Sequence, residues 1–336
     1  MWAYFLRRLL SLIPVLLGIT LVVFCFLHLI PGDPVVAMLG ERATPDQIAA
    51  TRQQLGLDQP LSLQYLTFLS RLLRLDLGHS LISGIPVIED LKGRWPATFE
   101  LTIVTLLLAL CLGIPMGILA AVFQHRWPDR LTLVGSLLGA SFPVYWLGLL
   151  LIYLFAIYLQ WLPPSGRLST DLGLRFQPIT GFYLVDAVLK RDLSLLLDTL
   201  AHLVLPALTL GTVPLAVLAR MTRTALLDTL SQTYISTARA KGLPEVLVIL
   251  RHGLKNALLP IVTVIGLQFG TLLGGAILTE TIFAWPGIGS WLYDGILARD
   301  YPVVLNGVVI VSTTFVMINI AVDLTYAWID PRIQQQ

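Results

Sequence analysis

Apolar stretches long enough to cross a membrane recur along the chain and are separated by polar segments. A spanning helix needs about 20 mainly apolar residues. Six stretches reach or approach this length: Leu9–Ile30, Leu101–Val122, Leu131–Leu159, Leu203–Leu218, Leu258–Ile282 and Val303–Trp328. We therefore predict an all-α polytopic membrane protein with six transmembrane helices.

Two of these stretches carry residues that affect helix shape and packing. The fourth is the shortest, and Pro206 and Pro214 within it predict a kink. The fifth has a row of small residues, which predicts close contact with another helix. These residues are Gly266, Gly270, Gly274 and Gly275.

The composition is typical of a membrane protein. Of the 336 residues, 56% are hydrophobic and only 12% are charged, whereas typical soluble domains carry about 25% charged residues. This composition argues against a soluble enzyme, and a net charge of +2 gives no indication of a nucleic-acid partner. Cys25 and Cys111 lie inside apolar runs, so no disulfide framework is predicted. The run Leu9–Ile30 is longer than the about 7–15 apolar residues of a signal peptide, which favours an uncleaved first transmembrane helix.

The distribution of positive charge predicts which side of the membrane each segment faces. Arg7 and Arg8 precede the first span, and Arg126 and Arg130 lie in the short loop between the second and third. The segment 220–257 holds six basic and two acidic residues, whereas the loops on the other side are balanced or acidic. Because cytoplasmic loops are enriched in Lys and Arg, we predict that both termini and the segment 220–257 are cytoplasmic.

A long extracytoplasmic insertion, Pro31–Glu100, is predicted between the first two spans. It contains two helical stretches, Thr44–Leu55 and Leu61–Leu75, and the first begins with a Thr-Pro-Asp start signal. Two interpretations are open: a small packed cap with a solvated face, or a surface that meets a partner. The loop Leu162–Thr199 is rich in turn residues and would add to the same outer surface.

Motifs for an energy source or for catalysis are absent from the sequence. It contains no G-x-x-x-x-G-K-[ST] loop for ATP phosphates, no His-x-x-x-His pair for a metal and no G-x-S-x-G turn for a nucleophile. Glu100 and Glu280 fall near the outer ends of spans and Asp323 near an inner end, where we interpret them as capping or interfacial groups rather than as an ion relay. A multi-span protein without these parts must take its energy from another subunit.

The polar segment Arg220–Pro260 has the character of a docking surface. A small-residue helix, Tyr234–Lys241, is followed by a Gly-Leu-Pro break and by a second, amphipathic segment, Glu245–Leu259. Ala238 and Ala240 flank Arg239 and would allow close approach of a partner. The second segment has an apolar face that would lie on the membrane or in a partner, and an ordinary interfacial helix is the alternative. This face consists of Val246, Ile249, Leu250 and Leu254.

These residues also resemble a known family. The sequences T-A-R-A-K-G-L (Thr237–Leu243) and N-A-L-L-P (Asn256–Pro260) resemble the EAA loop of ABC-importer membrane subunits in its peptide/nickel form. Only Ala238, Gly242 and Leu254 fit the general EAA pattern strictly. Further matching stretches extend the resemblance over essentially the whole chain. They are His28–Pro34, Pro96–Leu101, Pro163–Arg167, Pro178–Phe182, Leu205–Gly211, Thr279–Gly289 and Asp300–Val304.

The resemblance is to the peptide/nickel family of ABC-importer inner-membrane permeases, nearest to the B-type subunits of dipeptide importers. It implies a type I permease fold in a bacterial inner membrane. Residues 1–95 would form the first transmembrane helix and a periplasmic cap, and residues 96–330 the permease domain with a cytoplasmic coupling loop, 231–260. The implied coupling residues are Thr237, Ala238, Arg239, Ala240, Lys241, Gly242, Leu243, Leu254, Asn256 and Pro260.

The resemblance also implies the partners of this chain. They would be a C-type sister permease, two cytoplasmic ATP-binding subunits, a periplasmic peptide-binding protein and the lipid bilayer. The chain itself would catalyse no reaction and hold no cofactor, and ATP hydrolysis would belong to the partners. Dipeptides or short peptides are the expected substrate. Alternatives are a nickel or metal-complex permease, an antimicrobial-peptide permease or, in another class, an ATP-independent secondary carrier.

Overall fold

The computed structural model describes residues 2–29, 33–40 and 43–329 of the chain. Within these residues the regular structure is helical, apart from an isolated bridge between His79 and Pro86. Ile30 and Pro31, where the predicted first span ends and the predicted insertion begins, lie outside the described residues. The prediction of an all-α protein is confirmed.

Fifteen α-helices and two π-helical segments occur in the described part of the chain. The first seven α-helices are α1 Trp2–Leu29, α2 Pro34–Leu39, α3 Pro45–Gln54, α4 Leu61–Leu73, α5 Val87–Val122, α6 Trp127–Ser141 and α7 Val144–Leu151. The remaining ones are α8 Thr170–Arg175, α9 Tyr183–Lys190, α10 Leu193–Leu230, α11 Thr233–Ala240, α12 Glu245–Leu247, α13 Lys255–Ile282, α14 Ile288–Ala298 and α15 Tyr301–Ile329. The π-helical segments are Ile152–Tyr158 and Val248–Leu254.

Among the residues that the structure describes, four helical stretches are long and apolar enough to cross a membrane. They are α5, α10, Glu245–Gly274 and Tyr301–Ala321. Trp127–Ser141 and Val144–Tyr158 together give a fifth if the bent pair counts as one span. The first predicted span falls on the 28-residue helix α1, which contains the shorter apolar stretch Ile13–Leu29.

The prediction of one continuous helix over Leu131–Leu159 is wrong. The stretch breaks at Phe142-Pro143, and the two halves are bent by 100°. Phe142 has extended backbone angles (φ −79°, ψ 133°) because a residue before proline is disfavoured in the helical region. The predicted fourth span, Leu203–Leu218, covers only part of the 38-residue helix α10. Pro206 and Pro214 both lie inside this helix.

One compact unit comprises residues 1–97 and 286–316. Its described residues include one core cluster that holds Val87, Trp291 and Leu292 and another that is built on Phe24 and Leu27. The helical stretches predicted in the insertion correspond to α3 and α4. Helix α3 begins where the sequence signal placed it, since Thr44 and Gln47 form a reciprocal capping box.

The second compact unit comprises residues 98–285 and 317–336. In its described part, α10 is the central helix and packs against α6, α7, α9 and α13. Helices α5 and α10 lie close together at Gly117, where a Cβ would be 2.6 Å from the carbonyl oxygen of Ala219. The glycines predicted to pack closely differ among themselves. Gly266 and Gly270 are buried, whereas a Cβ at Gly274 would meet nothing within 4 Å.

Candidate functional site

The predicted docking surface is formed by α11 and the turn that follows it. The helix ends at Ala240, and Gly242 has a φ of +75°, a left-handed conformation that side chains other than glycine rarely adopt. This turn lets the chain reverse into α12 at Pro244, whose extended backbone places it just before the first helical residue. The sequence signal Gly-Leu-Pro therefore marks a real break between two helices.

A small hydrophobic core of its own holds α11 in place. Ile235 and Ala238 on α11 pack with Val248, and Leu230 and Leu243 cover this cluster from the side. Ala238 is only 7% exposed. The expectation that Ala238 lies at the partner-facing surface is therefore wrong for this structure, because its small side chain fills the inner face of α11. Leu243 likewise serves this core.

The outer face of α11 and the turn is polar and open. Thr237, Ala240 and the two residues after the helix, Lys241 and Gly242, are exposed. Arg239 is also exposed and bridges the turn, with hydrogen bonds of 2.6 and 3.1 Å to the carboxylate of Glu245. Those hydrogen bonds raise the pKa of the Arg239 guanidinium above its ordinary value. The ion pair thus joins the two ends of the Gly242 turn.

The second segment contains a π-helix that changes its surface pattern. Between Val248 and Leu254 the backbone bonds run from i to i+5, so the 3.6-residue period read from the sequence does not apply. The predicted single apolar face is therefore divided. Val246 and Leu250 are 67% and 51% exposed, whereas Ile249 is buried. Leu254 is half-buried against a cluster that includes Ala257 and Ile261.

Asn256 connects the start of α13 back to α11. Its amide nitrogen donates to the hydroxyl of Tyr234 at 2.8 Å and to the carbonyl of His252 at 3.0 Å. Pro260 lies one turn further along α13 and is half-buried. The sequence indicated Asn256 but not its partner Tyr234, since nothing in the spacing shows that the π-helix brings residues 22 apart together.

A second ordered region lies between the π-helix Ile152–Tyr158 and α10, largely within the predicted loop Leu162–Thr199. Arg167 in this loop donates to Glu100 on α5 at 2.6 Å, and both side chains are buried. Glu100 also accepts the backbone N–H of Leu184 at 2.7 Å, in the first turn of α9. Glu100 was predicted as a capping or interfacial group near the end of a span; in the structure it lies inside α5, where it accepts an N–H from the first turn of α9 and forms a buried ion pair. Arg167 was not singled out, because a partner 67 residues away leaves no local signal.

The same loop is closed by a buried carboxylate, Asp186. Its oxygens accept hydrogen bonds from the backbone of Ile179, Thr180 and Gly181 and from the hydroxyl of Thr180, at 2.6–3.3 Å. Burial opposes the charge, but these hydrogen bonds outweigh it and hold the pKa of the Asp186 carboxyl below its ordinary value. The P-I-T-G-F stretch therefore folds around one ionised side chain.

Metal ligands do not gather in the described structure. In residues 2–29, 33–40 and 43–329, no group of three or more His, Cys, Asp or Glu side chains is placed to hold a metal ion.

Comparison with known proteins assigns the chain to a family. Residues 113–335 match the family described as the binding-protein-dependent transport system inner membrane component, and residues 1–102 match the N-terminal part of such membrane components. The chain belongs to this family. It is therefore an inner-membrane permease component of binding-protein-dependent importers, which is not an ATPase family.

Relatives of this permease match it from end to end. It is 47% identical to the dipeptide transport system permease protein DppB of Escherichia coli (strain K12), with 100% of each chain covered. It is 48% identical to the di/tripeptide transport system permease protein DppB of Pseudomonas aeruginosa (strain UCBPP-PA14), again over 100% of both. The glutathione transport system permease protein GsiC of Salmonella typhimurium (strain LT2) is 43% identical over 98% of each chain.

A solved structure supports the fold of the permease. The inward-facing MetNI methionine ABC transporter aligns with a TM-score of 0.52 and 19% identity, covering 71% of this chain and 95% of that one. The prediction of an ABC-importer permease fold is confirmed.

Proposed function

We propose that this permease forms half of the translocation pore of an ATP-driven importer for dipeptides and short peptides. The observation that carries the proposal is the end-to-end identity of 47% to a dipeptide permease and 48% to a di/tripeptide permease. Identity at this level over the whole chain includes the loops, where substrate delivery and coupling occur. Glutathione, the cargo named for a more distant relative, is itself a short peptide.

The proposed complex contains a C-type sister permease, two cytoplasmic ATP-binding subunits and a periplasmic peptide-binding protein. The permease would supply membrane helices and coupling surfaces, and its partners would hydrolyse ATP. Both termini and α11 would face the cytoplasm, in agreement with the excess of basic residues in 220–257. Residues 1–95 would form the first span with the periplasmic cap, and residues 96–330 the permease domain.

The coupling surface proposed here is the exposed face of α11 and its turn. Thr237, Arg239, Ala240 and Lys241 would contact an ATP-binding subunit, while Gly242 shapes the turn. Ala238, Leu243 and Leu254 would support this surface from the interior, and Asn256 and Pro260 would join it to α13. Because α11 rests on a packed core, movement of an ATP-binding subunit would be passed on to α10 and α13 rather than absorbed in a flexible loop.

Reconstitution tests this function directly. The permease is purified with its sister and ATP-binding subunits, placed in proteoliposomes, and assayed for uptake of radiolabelled alanyl-alanine with ATP and the binding protein. We expect uptake that requires both ATP and the binding protein. Uptake of nickel but not of the dipeptide would contradict the substrate. Uptake by the permease alone, without ATP-binding subunits, would instead show a secondary carrier.

A further inference from the structure

Helix α4 in the insertion has an unusual distribution of exposed residues. No residue of Leu61–Leu73 is buried, although the helix contains six leucines, one tyrosine and one phenylalanine. Its half-buried stripe consists of Tyr65, Phe68, Leu69 and Leu72, which are spaced i, i+3, i+4 and i+7. A second set of leucines lies elsewhere on the helix and needs a separate explanation.

The half-buried stripe attaches α4 to α1. The hydroxyl of Tyr65 lies 3.0 Å from the hydroxyl of Thr20 and donates to the carbonyl of Leu17 at 3.2 Å. The Tyr65 ring is 5.4 Å from that of Phe24, and Phe68 packs on the same cluster. His28, at the end of α1, lies 3.3 Å from the amide oxygen of Gln64. Helix α4 is thus bound to the last three turns of α1.

These contacts define how deep α4 lies. With a rise of 1.5 Å per residue, Phe24 is about 7 Å and Thr20 about 13 Å from Leu29 at the outer end of α1. The proposed topology makes α1 a membrane-spanning helix over Leu9–Ile30, and the present inference rests on that topology. Phe24 and His28, which hold α4, then lie within the outer half of the bilayer, Thr20 lies near its middle, and the Leu17 carbonyl, about 18 Å from Leu29, lies just beyond the middle.

The free surface of α4 suits that depth. Leu63, Leu66 and Leu73 are 47%, 60% and 86% exposed, and Leu66 and Leu73 lie about 20° apart around the helix. Arg71 lies about 140° from Leu66, on a side that also carries Thr67. Interfacial helices of this kind bury their apolar face about 5–10 Å into the membrane boundary. This depth agrees with that of Phe24.

Arginines lie near the end of the same helix. Arg71 lies in the last turn of α4, and Arg74 is the first residue after the helix. Both are exposed. Long basic side chains at such positions extend to lipid phosphate groups while their aliphatic portions stay in the apolar layer. Helix α1, to which α4 is bound, exposes Val22 and Phe26 as a helix in lipid would.

We propose that α4 is an interfacial helix embedded in the outer leaflet beside α1, with Leu63, Leu66 and Leu73 against acyl chains and Arg71 and Arg74 at the phosphate headgroups. This part of the insertion is then a membrane-contacting surface. It anchors the loop between α1 and α5 to the bilayer, which leaves the remainder of the insertion to face the periplasm.

Site-directed spin labelling tests the proposal in the complete transporter. Cys25 and Cys111 are first replaced by alanine. Single nitroxides are then placed at Leu66 or Leu73, with matched controls at Thr67 and Arg71 of the same helix and a lipid reference at Val22 of α1. In proteoliposomes of phosphatidylethanolamine and phosphatidylglycerol, power saturation compares collisions with oxygen, which enriches in lipid, and with a nickel chelate, which stays in water.

We expect oxygen collisions to exceed nickel collisions at Leu66 and Leu73 and the ratio to reverse at Thr67 and Arg71. Dominant nickel collisions at Leu66 and Leu73, with Val22 in lipid, would overturn this inference alone and leave a water-facing cap. Protection of Leu66 and Leu73 from both reagents would also overturn it, because a protein partner would then cover α4. Nickel access at Val22 would overturn the topology of α1 and the inference together.

Discussion

Arg167 and Glu100 form an ion pair with 2.6 Å between a guanidinium nitrogen and a carboxylate oxygen, and their side chains are only 4% and 3% exposed. Arg167 also donates to the carbonyl of Gly181 at 3.0 Å, and its guanidinium lies 3.5 Å from the centre of the Tyr183 ring. Glu100 is on a membrane-length helix and Arg167 is in a loop. The pair therefore fixes the loop 160–192 to α5.

Removal of one member of this pair is expected to destabilise the permease. Glu100→Gln or Arg167→Met leaves the other charge buried and unpaired, which costs about 3–5 kcal/mol. The double variant Glu100→Gln/Arg167→Met leaves no buried charge and is expected to recover much of the loss. Thermal unfolding of the purified permease in detergent gives the comparison. Equal stability of single and double variants would show that the pair does not act as a unit.

Gly117 is expected to tolerate no side chain. A Cβ there would lie 2.6 Å from both the carbonyl oxygen of Ala219 and the Cβ of Thr222, so Gly117→Ala forces α5 and α10 apart. The expected cost is about 1–3 kcal/mol. Gly135→Ala is the matched control, because a Cβ at Gly135 meets nothing within 4 Å and alanine is the better helix former. Similar melting temperatures for the two variants would contradict this packing.

Asp186 is expected to make the stability of the loop 160–192 sensitive to acid. Because the folded pKa of its carboxyl lies below the unfolded value, its stabilisation is present above the unfolded pKa and is lost as the pH falls through the folded pKa. Asp186→Asn replaces one acceptor oxygen with an amide NH₂ donor, which then faces backbone N–H donors, at a cost of about 1–3 kcal/mol. Protease cleavage within 160–192 should rise in this variant at neutral pH. The exposed Asp171→Asn in the same loop is the control, and equal cleavage of both would argue against the role.

Tyr234 and Asn256 are expected to act together in coupling. Their 2.8 Å hydrogen bond joins α11 to α13, so Tyr234→Phe and Asn256→Ala should each lower dipeptide uptake per ATP hydrolysed while leaving the complex assembled. The double variant should be no worse than the more impaired single variant, since both remove one bond. Additive losses in uptake per ATP would show that the two residues act separately.

Local rules predicted much of this fold from the sequence. The start of α3 follows from Thr44 and Gln47, and the break after α11 follows from Gly242 and Pro244, because caps and turns depend on neighbouring residues. The break in the third span could also have been predicted from the sequence, because Pro143 disfavours a helical conformation of Phe142. The break was missed because the apolar run Leu131–Leu159 is long enough for a single spanning helix.

Other features depend on distant residues and could not be predicted in this way. The Arg167–Glu100 pair and the close approach of Gly117 to Ala219 join segments far apart in sequence. In the proposed coupling segment, the sequence predicted the helix and the turn that follows it but not the inward orientation of Ala238. The π-helix from Val248 to Leu254 alters the periodicity from which side-chain orientation was inferred.

The coupling surface itself can be tested by photocrosslinking in the assembled transporter. Benzoylphenylalanine replaces Ala240 at the end of α11 or Lys241 directly after it, and, as the control, replaces Leu174, which is 84% exposed in the loop 160–192. Crosslinked products are identified by mass spectrometry. We predict crosslinks to an ATP-binding subunit from Ala240 and Lys241 and none from Leu174. An assembled, ATP-hydrolysing complex that gives no such crosslink from either position would contradict the coupling role of this segment.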